Sequence, residues 1–352
     1  MRTSTVVILM VVVASGGGCG QFPILTNNVV RVDGPVDTRA TVDIPPVAQA
    51  GPVKPVEVVR GGPRVAVVDV DGLILNTPFV GPSSVGENPV ALFREKLEAI
   101  EADANVVAVV LRINSPGGGV GACTAMRNDL ERFKSRRPVP VVACLLDHGS
   151  GGAYYLASAA DQVVATPATI TGGVGVILNL FNLRDLMAQY NVIPQPIRAG
   201  ANVDIGTSAR ALTPEEKEIL QSMADEYHHQ LKSGILRTRP RVNQDAGKTF
   251  DGRIFTAAQA KARGLVDHVA DLDDAIQLAA NMAHRGQCPS RPGVVLYRRT
   301  NDPAHSIYAV TANIPLQGAG ILPNLPGLDR SKLPTFLSLW QPELTMEKLG
   351  GK

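Results

Sequence analysis

Apolar residues in the middle of the chain form short continuous runs, and each run ends in a cluster of glycines. The runs at 106–111, 139–145 and 163–165 have the length and the β-branched content of buried strands. Between them, apolar residues recur three and four positions apart, which predicts helices. Buried strands that alternate with helices predict an α/β domain with a largely parallel sheet.

Three glycine-rich turns follow these strands and place bare backbone where strand ends open onto a cleft. The residues expected around this cleft are Asn114, Gly117, Gly118, Ser150, Gly151, Gly152, Thr171 and Gly172. Backbone N–H groups at such turns can stabilise negative charge, so the pattern predicts a site built from main-chain amides around one nucleophile. The glycines also have a purely structural explanation, since turns with positive φ require them.

The first 19 residues have the pattern of a secretory leader. Arg2 precedes an apolar run at 6–13, and small residues then lead to Cys19. The run is too short to span a membrane as a mature helix, and a cysteine after small residues resembles the lipobox of bacterial lipoproteins. We therefore expect an exported protein, anchored at the cell-envelope membrane by a lipidated Cys19, with its domain outside the cytoplasm. Ordinary cleavage or an uncleaved anchor are the alternatives.

The segments on either side of the domain are rich in proline and lack a helical period. Residues 20–63 predict an extended linker, the globular domain is expected over 64–285, and residues 286–352 predict a C-terminal arm. Apart from a candidate strand at 294–298, we expect the arm to pack on the domain or to contact a neighbouring subunit. The single tryptophan, Trp340, ends the sequence Phe336-Leu337-Ser338-Leu339-Trp340 and suits an interface anchor, with ordinary core packing as the alternative.

Composition excludes several classes of function. A net charge of +2 and an aromatic content of 4% give no support to a nucleic-acid partner. The four cysteines have no paired or metal-like spacing, so neither a disulfide nor a metal site is predicted. Cys123 and Cys144 are interpreted as small buried side chains. Nothing in the sequence predicts a cofactor.

Several motifs, in this order, resemble the bacterial signal peptide peptidase A family. They are Leu111-Arg112-Ile113-Asn114-Ser115-Pro116-Gly117-Gly118, Thr171-Gly172-Gly173-Val174-Gly175-Val176 and Asp251-Gly252-Arg253 with Gly264-Leu265-Val266-Asp267. The similarity extends from about residue 64 to residue 276. The wider superfamily includes the Clp protease subunit and the crotonases. The resemblance therefore implies a single domain with a spiral of β-strands and flanking helices, peptide substrates and a homo-oligomeric ring.

The chemistry that this resemblance implies is a serine–lysine dyad, in which a serine attacks a peptide carbonyl and a lysine accepts its proton. Gly117 and Gly118 would form the oxyanion hole. Ungapped family register places Gly151 at the serine position, whereas the Clp protease pattern places Ser150 there. Ser150 has an alternative role as the N-cap of the following helix. The lysine position holds Val203, which cannot accept a proton.

The first functional hypothesis is therefore a membrane-tethered serine peptidase that cleaves signal peptides or short hydrophobic polypeptides, with Ser150 as nucleophile. The alternative, favoured by Val203, is a catalytically inactive homologue that binds peptides or assembles with an active paralogue. Crotonase-like acyl-CoA chemistry ranks last, because nothing in the sequence indicates a pocket for the adenine of coenzyme A.

Overall fold

The computed structural model describes eight stretches of the chain: 52–77, 80–81, 84–85, 87–242, 248–288, 290–299, 306–309 and 336–340. The predicted leader, Cys19 and the linker up to residue 51 lie outside the described residues, as does most of the predicted arm. Beyond residue 309, the described part of the arm is 336–340.

The strands of the described residues are β1 (Val53–Val59), β2 (Arg64–Asp71), β3 (Val80–Gly81), β4 (Ser84–Val85), β5 (Val106–Ser115), β6 (Gly117–Gly119), β7 (Val141–Ser150), β8 (Gln162–Ala165), β9 (Ile170–Gly172), β10 (Ile254–Thr256), β11 (His268–Val269), β12 (Gly293–Arg299) and β13 (Leu337–Leu339). The helices are α1 (Pro89–Ala102), α2 (Val120–Arg136), α3 (Gly152–Ala157), α4 (Arg184–Gln189), α5 (Pro214–Thr238), α6 (Ala257–Ala262) and α7 (Leu272–Ala283).

Nine of these strands form one sheet, whose main path runs β1-β12-β2-β5-β7-β8-β11, with β9 paired to both β7 and β10. Most neighbours are parallel, and β1–β12 and β9–β10 are the antiparallel pairs of this sheet. Successive residues of β2 enter two different apolar clusters, one shared with α1 and α2 and the other with α7. Because the sheet is buried on both faces, its central strands appear in the sequence as continuous apolar runs. The predicted α/β fold is confirmed.

Both predicted limits of the domain are too narrow. Residues 53–59, expected in the linker, form β1, which pairs with β12. Residues 293–299, expected in the arm, form β12, which lies between β1 and β2. Pro55 is compatible with β1 because this strand lies at the edge of the sheet, where a missing N–H breaks no inner ladder. The folded unit therefore includes residues on both sides of 64–285.

Candidate functional site

The turn after β7 has a backbone conformation that requires glycine. β7 ends at Ser150, and Gly151 then adopts φ +55 and ψ −126 as the N-cap of α3. A residue with a side chain is strained in this region of φ/ψ space. The Gly151 N–H donates to the carbonyl of Gly172, 2.8 Å away, which fixes the turn against β9.

Ser150 lies immediately before that turn and is fully buried. Its Oγ donates to the carbonyl oxygen of Pro116 at 3.2 Å. The expectation that Ser150 caps α3 is wrong, because Gly151 is the N-cap residue and it has no side chain with which to cap the helix. The hydroxyl of Ser150 thus hydrogen-bonds a main-chain carbonyl, a group that cannot serve as a general base.

The first glycine turn, β6, is attached along one side to Ile74. The Ile74 N–H donates to the Gly117 carbonyl, and the Gly119 N–H donates to the Ile74 carbonyl, both at 2.9 Å. A Cβ on Gly118 would lie 1.9 Å from the Ile74 carbonyl oxygen, so the close approach depends on glycine. The Gly117 N–H donates to Ser115 Oγ at 3.1 Å and is therefore engaged within the turn.

The other side of β6 carries a peptide strand, which is β13 from the predicted arm. The two strands are antiparallel, with Ser338 opposite Gly118. On either side of this pair, the Val120 N–H donates to the Phe336 carbonyl at 3.1 Å and the Trp340 N–H donates to the Pro116 carbonyl at 3.0 Å. The alternation of an antiparallel ladder makes Ser338 and Gly118 the next hydrogen-bonded pair. The Gly118 N–H therefore points at the Ser338 carbonyl.

Ile177 pairs with the opposite edge of the same strand. Leu337 exchanges two hydrogen bonds with Ile177, each 2.9 Å long. The Ser338 carbonyl oxygen lies 2.5 Å from the position that a Cβ would take on Gly151 and 3.2 Å from that on Gly152. Segment 336–340 of the arm thus packs on the domain, in the predicted cleft and directly over Gly151, which the ungapped register assigns to the family's serine position.

Three other residues predicted to line the cleft hold its frame. The Asn114 Oδ1 accepts the backbone N–H of His148 at 3.1 Å. The Thr171 hydroxyl donates to the Gly149 carbonyl at 2.6 Å, and a Cβ on Gly172 would meet the Phe255 ring at 2.6 Å. These residues fix the relative positions of the turns that Gly118, Gly151 and Gly152 present to β13.

Val203, which the resemblance assigns to the family's lysine position, is 66% exposed, whereas Ser150 is fully buried. The adjacent Asp204 is bound by Arg198 at 2.7 Å and by Arg210 at 2.9 Å, and Arg210 also pairs with Glu216. Hydrogen bonds from Arg210 hold the pKa of Asp204 well below its ordinary value and lower the pKa of Glu216 to about 2. The segment around Val203 is therefore cross-linked by ion pairs, with an aliphatic side chain at the expected position of the base.

Sequence reasoning missed the partners of the cleft that lie far away in the chain. Ile74 and Ile177 carry no motif, and their role depends on backbone hydrogen bonds alone. The sequence predicts segment 336–340 as part of an arm that contains the single tryptophan, Trp340, but it does not predict the strand conformation of this segment.

Comparison with known proteins agrees with the motifs. A profile described as peptidase family S49 matches residues 133–285. A putative protease of Methanocaldococcus jannaschii is 34% identical over 201 residues, which is 57% of this chain and 63% of that protein. Protease 4 of Salmonella typhi is 29% identical over 222 residues, or 63% of this chain and 35% of that protein. A putative signal peptide peptidase of Enterococcus faecium is 25% identical over 213 residues, covering 60% of this chain and 62% of its own.

The matched part spans between 35% and 63% of the length of these relatives. Among solved structures, a mutant of the 1510-N membrane-bound stomatin-specific protease in complex with a substrate peptide aligns with a TM-score of 0.39 and 15% identity. That alignment covers 62% of this chain and 80% of the other. By the family profile and the protease relatives, the chain is similar to the signal peptide peptidase A-like peptidases of family S49.

Proposed function

We propose that this chain binds extended polypeptides in the cleft between β6 and Ile177 and does not hydrolyse them through a serine–lysine dyad. The family supports a serine peptidase as the general class. The observation that carries the narrower proposal is the turn at Gly151. It has a positive φ of +55 and no side chain, and the carbonyl of a bound strand lies over it.

The position of the base supports the same proposal. Val203 offers no proton acceptor, and the hydroxyl of Ser150 is hydrogen-bonded to the Pro116 carbonyl. Loss of the proton acceptor alone typically lowers the rate of a serine nucleophile by several orders of magnitude. Binding requires neither group, because an extended peptide is held by main-chain hydrogen bonds along the strand edges.

The test is to incubate the full chain with a fluorophosphonate probe and, separately, with casein and a signal peptide. We expect neither labelling nor cleavage, and the same result for Ser150→Ala as a matched control. Fluorescence polarisation should nevertheless detect binding of a labelled apolar peptide. Labelling and cleavage that disappear in Ser150→Ala would contradict the proposal.

A second candidate is hydrolysis that depends on Ser150, with His148 as base. The Nδ1 of His148 is buried and finds no hydrogen-bond partner in the described stretches, and its ring lies 6.4 Å from that of Trp340. The backbone N–H of Trp340 and the Ser150 hydroxyl donate to the same Pro116 carbonyl. The side chains of His148 and Ser150 therefore both lie near the end of the bound strand at Trp340. This function predicts labelling that is lost in both Ser150→Ala and His148→Ala.

Signal peptides or other short hydrophobic polypeptides are the ligands we propose for this cleft. Assembly with an active paralogue is the other way in which an inactive homologue could act. Co-purification with tagged family members from the native host would test that assembly. An interaction that disappears on mutation of the cleft would support peptide capture instead.

The proposed homo-oligomer is supported by apolar side chains that one protomer leaves in solvent. They include Tyr190 at 75%, Ile193 at 71% and Ile197 at 103% exposure. Burial of these side chains between protomers would remove apolar surface from water. Light scattering of the full chain and of Ile197→Asp tests this proposal, and an unchanged monomeric mass in both would contradict it.

The proposed membrane tether rests on the sequence around Cys19. No helix in the described ranges is long and apolar enough to cross a bilayer. Metabolic labelling with a radioactive fatty acid should mark the full chain, and Cys19→Ser should abolish the label. Equal labelling of both proteins would contradict an anchor at this cysteine.

A further inference from the structure

We infer that the peptide-binding site continues beyond β6 into a groove between α2 and α5, and that this groove takes uncharged apolar residues of a polypeptide ligand. These residues would precede the part of the ligand that pairs with β6. The α2–α5 groove has a volume of about 500 Å³, and its lining includes Val120, Gly121, Ala125, Asn128, Tyr227 and Gln230. The inference rests on the proposed peptide-binding function and names the class of polypeptide that the site selects.

The α2–α5 groove begins where the strand-binding edge of β6 ends. Val120, the first residue of α2, lines the groove, and its N–H donates to the Phe336 carbonyl at 3.1 Å. A strand bound antiparallel to β6, followed towards its own N-terminus, runs in the direction in which the chain passes from β6 into α2. The ligand residues that precede the position of Phe336 are therefore directed along α2 and into the groove.

The length of the groove suits a short segment of extended chain. An ion pair joins the two helices one turn beyond Asn128, because the Arg237 guanidinium contacts both carboxylate oxygens of Glu131, at 2.9 and 3.2 Å. This pair closes the end of the groove that lies away from β6. From Val120 to Asn128 the helix rises about 12 Å. An extended chain covers that distance in roughly three or four residues.

The chemistry of the groove favours apolar residues. Among the described residues, none of those that line it carries a charge. Ala125 and Tyr227 are partly buried against the larger apolar cluster of the domain, and Phe336 packs edge-to-face on Tyr227, with ring centroids 5.1 Å apart. A charged side chain entering the groove would lose hydration without gaining a counter-ion, since Glu131 and Arg237 are paired with each other. An apolar side chain is stabilised there by leaving water.

The experiment measures binding of fluorescein-labelled peptides to the full chain by fluorescence polarisation. The core peptide is Phe-Leu-Ser-Leu-Trp, the sequence of the strand that lies on β6, and three longer peptides carry Leu-Leu-Leu, Asp-Asp-Asp or Lys-Lys-Lys before it. Segment 336–340 competes equally with all four peptides, so the ratios of their affinities report on the groove. We expect the leucine extension to tighten binding at least about tenfold, and neither charged extension to do so.

A variant that fills the groove locates the effect. Gly121→Phe places a ring where no atom of the described residues lies within 4 Å of the Cβ position. It should remove the advantage of the leucine extension and leave the affinity for the core peptide within about twofold. Gly286→Phe is the matched control, since Gly286 has equally open surroundings among the described residues and follows α7, which packs in the other apolar cluster. It should keep the whole advantage.

Acrylamide quenching of Trp340, the single tryptophan, tests whether these substitutions disturb the docked segment. We expect equal quenching in the wild type, Gly121→Phe and Gly286→Phe when no peptide is present. Circular dichroism confirms that each variant is folded.

A change of charge tests the selectivity of the groove directly. Asn128→Asp adds a negative charge beside the closed end with almost no change in shape. It should tighten binding of the lysine-extended peptide about two- to fivefold and weaken binding of the aspartate-extended peptide by a similar factor. A substitution that acted only on the stability of the fold would change the affinities of all four peptides alike.

Equal affinities for the core, leucine-extended and charged peptides would overturn the inference and leave the proposed peptide binding intact. Retention of the leucine advantage in Gly121→Phe would also overturn the inference, since the extension would then lie elsewhere. If the chain bound none of the four peptides, the proposed peptide-binding function would fail and this inference would fail with it.

Discussion

Replacement of Gly118 by alanine should separate β6 from Ile74 and so destroy one wall of the cleft. The new methyl group would lie 1.9 Å from the Ile74 carbonyl oxygen and 2.6 Å from its carbonyl carbon. Both are backbone atoms, which cannot rotate away as a flexible side chain can. The collision is therefore relieved by movement of the strand, and the hydrogen bonds that join β6 to Ile74 are lost.

The expected cost follows from those hydrogen bonds. Two of them attach β6 to Ile74, each 2.9 Å long, and a typical hydrogen bond contributes about 0.5–1.5 kcal/mol to stability. Gly118→Ala should thus lower the free energy of unfolding by about 1–3 kcal/mol. It should also abolish docking of β13, since Gly118 is the residue opposite Ser338.

Urea denaturation followed by circular dichroism measures the first effect, and Trp340 quenching measures the second. Gly121→Ala is the matched control, because Gly121 lies in α2 and no atom of the described residues is within 4 Å of its Cβ position. That change should raise the free energy of unfolding by about 0.4–1 kcal/mol, since alanine restricts the unfolded chain more than glycine does. Stability and quenching of Gly118→Ala that both match the wild type would refute the reasoning.

Three further outcomes are expected from buried or paired groups. Arg127→Met should lower the free energy of unfolding by about 2–5 kcal/mol in urea, because this fully buried guanidinium joins α2, α3 and α5. The pairing that lowers the pKa of Glu216 to about 2 from 4.5 contributes stability that is complete above pH 4.5 and lost towards pH 2. Urea titrations at several pH values should therefore show a smaller acid-induced loss for Arg210→Met than for the wild type. Burial raises the pKa of Cys123 and Cys144 to about 12, so iodoacetamide with peptide mapping should modify them only after unfolding.

The central strands could be predicted from the sequence because their information is local. The runs in β5, β7 and β8 carry β-branched residues on both faces, and the structure buries them against helices on either side. The edge of the sheet could not be predicted in the same way. β1 contains Pro55 and pairs with β12, more than 200 positions later, so its strand character depends on a partner that no local pattern identifies.

The candidate site shows the same difference between features that are local in the sequence and features that depend on distant partners. Gly117, Gly118, Ser150 and Gly151 were found because each follows a strand in a glycine-rich turn. Which of their backbone groups face the cleft depends on neighbours far away in the chain. The Gly117 N–H is engaged by Ser115, and the side of β6 that receives β13 is recognised only once Ile74 is seen to occupy the other.

The two positions that the resemblance assigns to the family's dyad have different physical settings. Val203 is mostly exposed, so many side chains would fit there, and valine alters the chemistry without altering the packing. Gly151 is different, because any side chain would meet both its positive φ and the carbonyl of Ser338. Serine at this position would oppose the docked segment as strongly as alanine, since both carry the Cβ that collides. In the ungapped register that assigns Gly151 to the family's serine position, a serine at this position should therefore also expel the strand.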